Sequence, residues 1–492
     1  MNLEVLVFIL YLAFMICVGM HFFLRSKNAG VKAYFLGGRQ MGAWVSALSA
    51  GASDMSAWVL MGLPAAIYEA GMGKTWIAIG LVIGYTISWF IVAPRLRSFT
   101  IAAKDSITIP QYLTNRFLSS SKLLQVVCAV VFLLAYTVYS ASSIKACSTL
   151  FNAVIGMKPI IASAIAALII ISYTFLGGFS AVCWTDFFQG MLMLAALLLA
   201  PIVAVFVLKV PDGSALPDNF WNFLSTGSVS WKSIADIITG LGWGLGYMGM
   251  PHIIIRFMAI KSGKELKKSR VIGIIWTLLI LVFSVIAGCV ARVFIPGVEN
   301  SSMAFITLIR TIFTGRGSGI ITGLLLSSIL AASMSTADSQ LLSSSSAFTC
   351  DVYEPVIRKR KVSDKEITWV GRCVVIIIAV IAFIIVAVDE RSTIMGLVEN
   401  AWGVFGAAFG PVILLSLFWK RFTYKGAVAG IVVGAAVDII WLVALTGVTG
   451  IYEIVPGFIL SFVAAVAVSK ADKAPSKEVE ALFDLGVSSV NK

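Results

Sequence analysis

Residues 41–63 place a carboxylate in the middle of a segment that is long and apolar enough to cross a lipid bilayer. The centre of the segment reads SAGASDMS, so that Asp54 falls where the hydrocarbon is deepest. A charged side chain at that depth costs about 2.5–3.5 kcal/mol even on the lenient insertion scale. Because a continuous helix has no free carbonyl, the segment predicts a broken helix whose carbonyls bind a cation. The alternative is a close helix contact through small residues, with Asp54 paired to a neighbour.

Composition indicates a polytopic membrane protein, because 59% of the 492 residues are hydrophobic and only 12% are charged. A helix needs roughly 20 apolar residues to cross the hydrocarbon, and this rule predicts an all-α protein with about thirteen transmembrane helices. The predicted spans are residues 3–24, 41–68, 75–99, 123–154, 158–178, 186–209, 232–259, 271–297, 316–349, 367–389, 396–419, 426–446 and 451–470.

Lysine and arginine are concentrated in alternate loops, so the net charge of +13 reports topology rather than affinity for nucleic acid. The positive-inside rule makes the basic loops cytoplasmic. An odd number of spans then puts the N-terminus outside and the C-terminus inside a multi-pass protein of the cytoplasmic (inner) membrane. Residues 1–470 are predicted to form one transmembrane domain, and residues 471–492 a short, charged cytoplasmic tail.

A second interrupted span lies at residues 232–259, where five glycines precede Pro251. Glycine and proline both disfavour a continuous helix, and Trp243 and Tyr247 lie mid-span on one face, which favours a cavity lining over a kinked helix with interfacial aromatics. Two interrupted spans indicate a binding site between two repeats. They are five spans apart, an odd number, which predicts a five-plus-five inverted repeat (residues 41–209 and 232–419) with one helix before it and two after.

Two further polar clusters lie inside predicted spans. Residues 330–346 contain Ser335 and Thr336, whose hydroxyl oxygens could join carbonyls near Ala52 and Met55 around a hard cation. Serines in membrane helices can instead bond back to the preceding turn. The stretch 177–190 contains Asp186, either as an acid in the first turn of a helix or as part of a second cation site.

These stretches together resemble the sodium/solute symporter family, and most of all its bacterial proline-transporting members. The resemblance is carried by YFLGGRQMGAWVSALSAGASDMSAWVLMGLP, GGFSAVCWTDFFQ, GWGLGYMGMPHIIIRFM and LLSSILAASMSTADSQLLSSSSA, and it extends over about residues 34–475. It implies the LeuT-type fold, with the five-plus-five inverted repeat described above. It also implies a sodium ion held by the carbonyls of Ala52, Met55 and Ala332 and the hydroxyls of Ser335 and Thr336, with Asp54 adjacent. The residues that it links to substrate binding are Ser56, Trp58, Tyr139, Trp243, Tyr247 and Pro251.

The sequence departs from the family pattern at Asp338 and Ser339. Together with Asp186, these residues leave open a second route for a cation or a proton.

The resemblance implies sodium-coupled import of L-proline by alternating access, with sodium as coupling ion and no other cofactor. A symporter of another amino acid, a sugar or a vitamin acid is the nearest alternative. A channel would need a continuous polar path, and an enzyme would need a nucleophile–base pair or a metal centre, which the sequence lacks.

Overall fold

The computed structural model describes residues 3–26, 30–175, 178–212, 216–314, 318–389 and 391–490. Their regular structure is helical apart from one isolated bridge between Met41 and Ile260. The α-helices are α1 (Leu3–Ser26), α2 (Val31–Leu36), α3 (Ala43–Ala52), α4 (Leu63–Ala70), α5 (Thr75–Ile87), α6 (Ala93–Ala102), α7 (Ile109–Arg116), α8 (Leu123–Ile155), α9 (Pro159–Thr174), α10 (Phe179–Val207), α11 (Trp231–Gly242), α12 (Pro251–Ala259), α13 (Gly263–Phe294), α14 (Ala304–Ile312), α15 (Ser318–Phe348), α16 (Asp364–Val388), α17 (Ile394–Phe418), α18 (Tyr424–Ala444), α19 (Thr446–Thr449), α20 (Ile454–Ala471) and α21 (Lys477–Ser488).

Each predicted span corresponds to helix, although not every span is one long helix. In the described part of the chain, 10 helical runs are long and apolar enough to cross a membrane. The remaining predicted spans are the two interrupted ones and that at 158–178, where α9 has only 16 residues. Some predicted boundaries were wrong: α13 begins at Gly263 rather than at 271. The Ser262 side chain caps it by accepting from the Glu265 N–H, so its polar first turns continue beyond the apolar run.

Both interruptions predicted from the sequence are confirmed. Helix α3 ends at Ala52, and residues 53–57 lead into a π-helical segment, Trp58–Gly62, that continues as α4. Helix α11 ends at Gly242 and continues as a tighter 3₁₀ segment, Trp243–Met248. The next helix, α12, begins at Pro251 after an extended Met250, as expected because proline disfavours helical backbone at the preceding residue.

A seam of glycines joins α5 to the second interrupted span. A Cβ added at Gly80 would lie 2.2 Å from the Gly240 carbonyl oxygen, and one at Gly84 would lie 2.1 Å from that of Gly244. No side chain fits at these distances, so the two segments meet backbone to backbone. The seam therefore holds α5 and the Trp243–Met248 segment at a fixed separation.

Two central helices, α15 and α17, pack against the interrupted spans. The membrane windows of these helices are each 83% buried, compared with 22% for α1 and 28% for α18 and for α20. Helix α15 packs on α8 and α10, while α17 packs on α8, α18 and α20. The peripheral helices expose apolar side chains, as a lipid-facing surface requires.

The segment predicted as a short charged tail contains a docked helix, α21. The Phe483 ring lies 5.3 Å from that of Phe99, centroid to centroid, and the Arg116 guanidinium lies 4.9 Å from the Phe483 centroid. The Ser98 hydroxyl donates to the Gly486 carbonyl at 2.6 Å. The tail is therefore packed on α6 and α7 by an aromatic contact that its charged composition did not reveal.

Candidate functional site

The break after α3 faces the polar centre of α15. The Ser335 hydroxyl donates to the Ala52 carbonyl oxygen at 2.8 Å, and the Thr336 hydroxyl lies 3.5 Å from the same oxygen. The Ser335 oxygen is also 3.1 Å from the Ala332 carbonyl oxygen. All four residues are fully buried. The structure therefore brings together Ala52, Ala332, Ser335 and Thr336, as the sequence predicted.

The Ala52 carbonyl is available because the helix stops beside it. In a continuous helix the Ser56 N–H would bond Ala52, but it bonds the Asp54 carbonyl at 2.8 Å instead. Carbonyl and hydroxyl oxygens are hard ligands that suit cations of the alkali and alkaline-earth groups. Met55 lies in the same break, and its N–H donates to the Gly51 carbonyl at 2.8 Å. The role of the Met55 carbonyl as a cation ligand stays a prediction.

Asp54 is bonded to the aromatic residues predicted to bind substrate. The Tyr247 hydroxyl donates to Asp54 Oδ2, and the Asp54 carbonyl accepts from Trp58 Nε1 at 3.2 Å and from the Tyr139 hydroxyl at 3.4 Å. Its other carboxylate oxygen, Oδ1, is buried without a hydrogen-bond partner among the described residues. The break thus has one side that faces α15 through Ala52 and another that faces the aromatic cluster through Asp54.

The aromatic cluster contains two members that sequence reasoning missed, Trp402 of α17 and Tyr452 just before α20. The Trp243 ring lies 6.0 Å from that of Trp58, 6.2 Å from that of Trp402 and 5.2 Å from that of Tyr452. Trp402 Nε1 donates to the Trp243 carbonyl at 2.9 Å. The signal for Trp402 was present as a tryptophan between two small residues, Ala401 and Gly403, inside a predicted span.

The predicted substrate residues are buried inside the protein. Ser56, Trp58, Tyr139, Trp243 and Tyr247 each expose no more than 1% of their surface. Their polar atoms include the buried Trp243 Nε1, which has no partner in the part of the chain that the structure describes. Ser56 Oγ accepts from the Trp58 N–H at 3.4 Å.

Pro251, the remaining residue linked to substrate, is buried at the first position of α12. Proline has no backbone N–H, and the N–H of the next residue, His252, donates to the Tyr136 hydroxyl at 2.8 Å. Pro251 therefore sets where α12 begins relative to the aromatic side chains.

Asp186, Asp338 and Ser339 converge on a residue that the sequence did not single out, Arg256 of α12. Its Nη2 atom lies 3.2 Å from Asp186 Oδ2 and 2.5 Å from Ser339 Oγ, which in turn donates to Asp338 Oδ1 at 3.3 Å. The Ser49 hydroxyl donates to Asp186 Oδ2 at 2.6 Å. All five side chains are buried. When ionised, two carboxylates and one guanidinium leave a net charge of −1, and Asp186 Oδ1 and Asp338 Oδ2 lack partners among the described residues.

Arg39 joins the segment before α3 to the end of α12. Its guanidinium donates to Asp105 at 2.8 Å, to the Ser106 carbonyl at 2.9 Å and to the Met258 carbonyl at 2.6 Å. Burial raises the pKa of Asp105, but hydrogen bonds from Lys32 and Arg39 outweigh it and hold the pKa below its usual range. These bonds join the segment before α3 to the loop after α6 and to the end of α12, at the end of the bundle that carries the basic loops.

Two broken helices that meet inside the bundle, one with a carbonyl released from helical bonding and the other within an aromatic cluster, define an ion-coupled secondary transporter. The chain belongs to the Sodium:solute symporter family, which matches residues 34–434. It is 42% identical to the osmoregulated proline transporter OpuE of Bacillus subtilis (strain 168), over 98% of each protein. It is 44% identical to the high-affinity proline transporter PutP of the same strain (94% of this chain, 97% of PutP) and 41% identical to the sodium/proline symporter of Escherichia coli K12 (97% and 94%).

Among solved structures, the chain is similar to a sodium-coupled sialic acid symporter in a substrate-bound outward-open state. The TM-score is 0.80 at 20% identity, over 96% of this chain and 98% of that one. The predicted family, the LeuT-type fold and the assignment as a transporter rather than an enzyme are thereby confirmed. The limits of the two repeats, 41–209 and 232–419, stay predictions.

Proposed function

We propose that this protein imports L-proline together with sodium across the cytoplasmic membrane, with its N-terminus outside and its C-terminus inside. Relatives at 41–44% identity that are named as proline transporters support the substrate. The observation that carries the mechanism is the break after α3. Within three residues it connects the Ala52 carbonyl, bonded to α15 hydroxyls, with Asp54, bonded to the aromatic cluster.

Sodium occupies the space between the break and α15, held by Ala52, Met55, Ala332, Ser335 and Thr336. None of these ligands carries a charge, which suits a monovalent cation better than calcium, whose sites use several carboxylates. The ion replaces the hydrogen bonds that Ser335 and Thr336 donate to Ala52, since the same oxygens then direct lone pairs at the metal. Sodium binding therefore fixes the break, and the break fixes Asp54 and its aromatic partners.

Proline binds among Ser56, Trp58, Tyr139, Trp243, Tyr247 and Pro251. Its ring packs on the aromatic faces, where its secondary ammonium is also favoured. Its carboxylate accepts from the buried Trp243 Nε1, a donor without a partner among the described residues. A sugar fits this pocket poorly, because each buried hydroxyl left unpaired costs about 1–3 kcal/mol.

Transport follows from alternating access driven by sodium. Each sodium that moves inward gains about 2.3 kcal/mol per 100 mV of membrane potential, in addition to its concentration gradient. Release to the inside requires the Arg39 contacts to open. The cluster of Asp186, Asp338 and Ser339 around Arg256 is proposed as a second cation position on the exit route, since its net charge of −1 and two unpartnered oxygens suit one further monovalent cation.

The test is uptake of labelled proline into proteoliposomes under an imposed inward sodium gradient, with a potassium gradient as control. Saturable uptake that requires sodium, is inhibited by small cyclic amino acids and is unaffected by glucose is expected. Counterflow of labelled against unlabelled proline distinguishes a carrier from a channel. Saturable sugar uptake, or proline uptake indifferent to sodium, would overturn the assignment.

A further inference from the structure

Asp438 of α18 is a buried carboxylate with no hydrogen-bond partner within the described residues. Its side chain is fully buried, and both carboxylate oxygens are unbonded. A Cβ added at Gly403 of α17 would lie only 2.8 Å from Asp438 Oδ1, and one at Gly457 of α20 would lie 3.4 Å from the Asp438 Cβ. Glycines on two neighbouring helices therefore leave the space that this carboxyl group fills.

A second acid converges on the same space. Glu453, the residue before α20, exposes 1% of its surface, and its Oε1 atom lacks a partner in the described part of the chain. Its Oε2 atom is 3.2 Å from the Thr446 hydroxyl, which donates to it. The Glu453 Cγ atom would lie 3.3 Å from a Cβ at Gly403, so both acidic side chains approach the same face of α17.

The charges around this pair do not compensate two carboxylates. Helix α17 contributes a third acid, Glu399, and the nearby Lys74 is already paired with Asp236 of α11 at 3.0 Å. Helix α8 faces α18 across a cavity of about 270 Å³, to which it contributes only apolar residues, Val131, Leu134, Ala135 and Val138. Two unpaired carboxylates in such surroundings are strongly disfavoured, so at least one must be neutralised.

A proton neutralises the pair better than a metal ion does. The Thr446 hydroxyl contacts Glu453, and within the described residues Asp438 has no hydrogen-bonding oxygen beside it, whereas a hard cation requires a shell of oxygen ligands. Among the described residues, no group of three or more His, Cys, Asp or Glu side chains is arranged to hold a metal. We propose that Asp438 and Glu453 form a proton-binding site in which the two carboxyl groups share one proton.

This site lies directly behind the aromatic pocket. Gly403 follows Trp402, whose indole N–H donates to the Trp243 carbonyl, and Glu453 follows Tyr452, whose ring packs on Trp243. Loss of the shared proton makes the two acids repel, which separates α18 from the start of α20 beside Gly403 and displaces Tyr452 behind Trp243. The proton therefore couples pH on the side predicted to be external to the shape of the substrate pocket.

The first experiment measures the proton itself and needs no transport. Infrared spectra of the purified full-length protein are recorded during a pH titration, and the C=O stretch of protonated carboxylic acid is followed. Wild type should retain a band at neutral pH that Asp438→Asn removes and Glu453→Gln shifts or removes, while Glu69→Gln, at an exposed acid, leaves it unchanged. A band unaffected by both buried substitutions overturns the proposal, as does a band that sodium abolishes at constant pH. If Asp438→Asn does not fold, the infrared band of Glu453→Gln alone tests the proposal.

The second experiment tests the coupling, and it rests on the proposed function. Sodium-driven proline uptake at saturating sodium is measured against external pH. Wild type and Glu69→Gln should lose uptake as alkaline pH removes the shared proton, whereas Asp438→Asn, which is always neutral, should lose this dependence. Identical profiles for wild type and Asp438→Asn overturn the coupling. Absence of any proline uptake would count against the substrate assignment and leave the infrared result valid.

Discussion

Replacing Ser335 by alanine removes one oxygen from the proposed sodium site and changes little else. The hydroxyl lies 2.8 Å from the Ala52 oxygen and 3.1 Å from the Ala332 oxygen, so it stands between two proposed carbonyl ligands. Thr336 approaches Ala52 at 3.5 Å and remains in the variant. We therefore expect weaker sodium binding rather than loss of the site.

The magnitude follows from the loss of one hydroxyl that interacts with a charge, which costs about 1.5–3 kcal/mol. At 1.4 kcal/mol per factor of ten, the sodium concentration for half-maximal uptake should rise roughly 10- to 150-fold. The maximal uptake rate at saturating sodium should change much less, because the aromatic pocket is intact.

Ser333→Ala is the matched control on the same helix. Ser333 is equally buried, but its hydroxyl donates to the Ile329 carbonyl of α15 at 2.9 Å, a bond back to the preceding turn. Sodium titrations of labelled-proline uptake in proteoliposomes should separate the two variants, with Ser333→Ala close to wild type. If Ser335→Ala titrates like wild type, or if both variants shift equally, the hydroxyl is structural and the site is misassigned.

Three further substitutions test other parts of the structure. Asp54→Asn should leave the melting temperature in detergent nearly unchanged but abolish most sodium-stimulated uptake, because it removes the charge at the break; wild-type sodium dependence would contradict this. Gly84→Ala should destabilise the protein by about 1–3 kcal/mol through overpacking at the seam, whereas Gly447→Ala, with open space around it, should not, as thermal unfolding can show. Phe483→Ala should lower the melting temperature by removing the aromatic anchor of α21, at a cost of about 3 kcal/mol, while the exposed Leu485→Ala should have little effect.

The two interruptions could be read from the sequence because their causes are local. Asp54 among small residues, and five glycines before Pro251, conflict with a continuous apolar helix wherever the rest of the chain lies. Ser335 was recognised in the same way, as a hydroxyl at membrane depth. These local signals led to the proposed sodium site, and the resemblance to a family supplied the remaining residues proposed to bind substrate.

Long-range pairings could not be read in this way. Arg256 looked like an ordinary basic residue near the end of a span, and its partner Asp186 is distant in sequence. The Tyr247 hydroxyl bonds Asp54 across 193 positions, and Tyr452 reaches Trp243 from a position just before α20, outside the predicted repeats. Periodicity indicates which face of a helix is apolar, but it does not indicate which distant helix covers that face.

The glycine seam between α5 and the second interrupted span also limits how such a protein can evolve. Each glycine faces the backbone of the partner segment, so a side chain on either segment would collide with main-chain atoms. Main-chain atoms are present whatever the residue, so a second substitution in the partner segment does not remove the collision. A single exchange at one of these positions destabilises the contact unless the two segments first move apart. We therefore expect new substrate preferences to arise through the side chains around the aromatic cluster, while the glycines of the seam are retained.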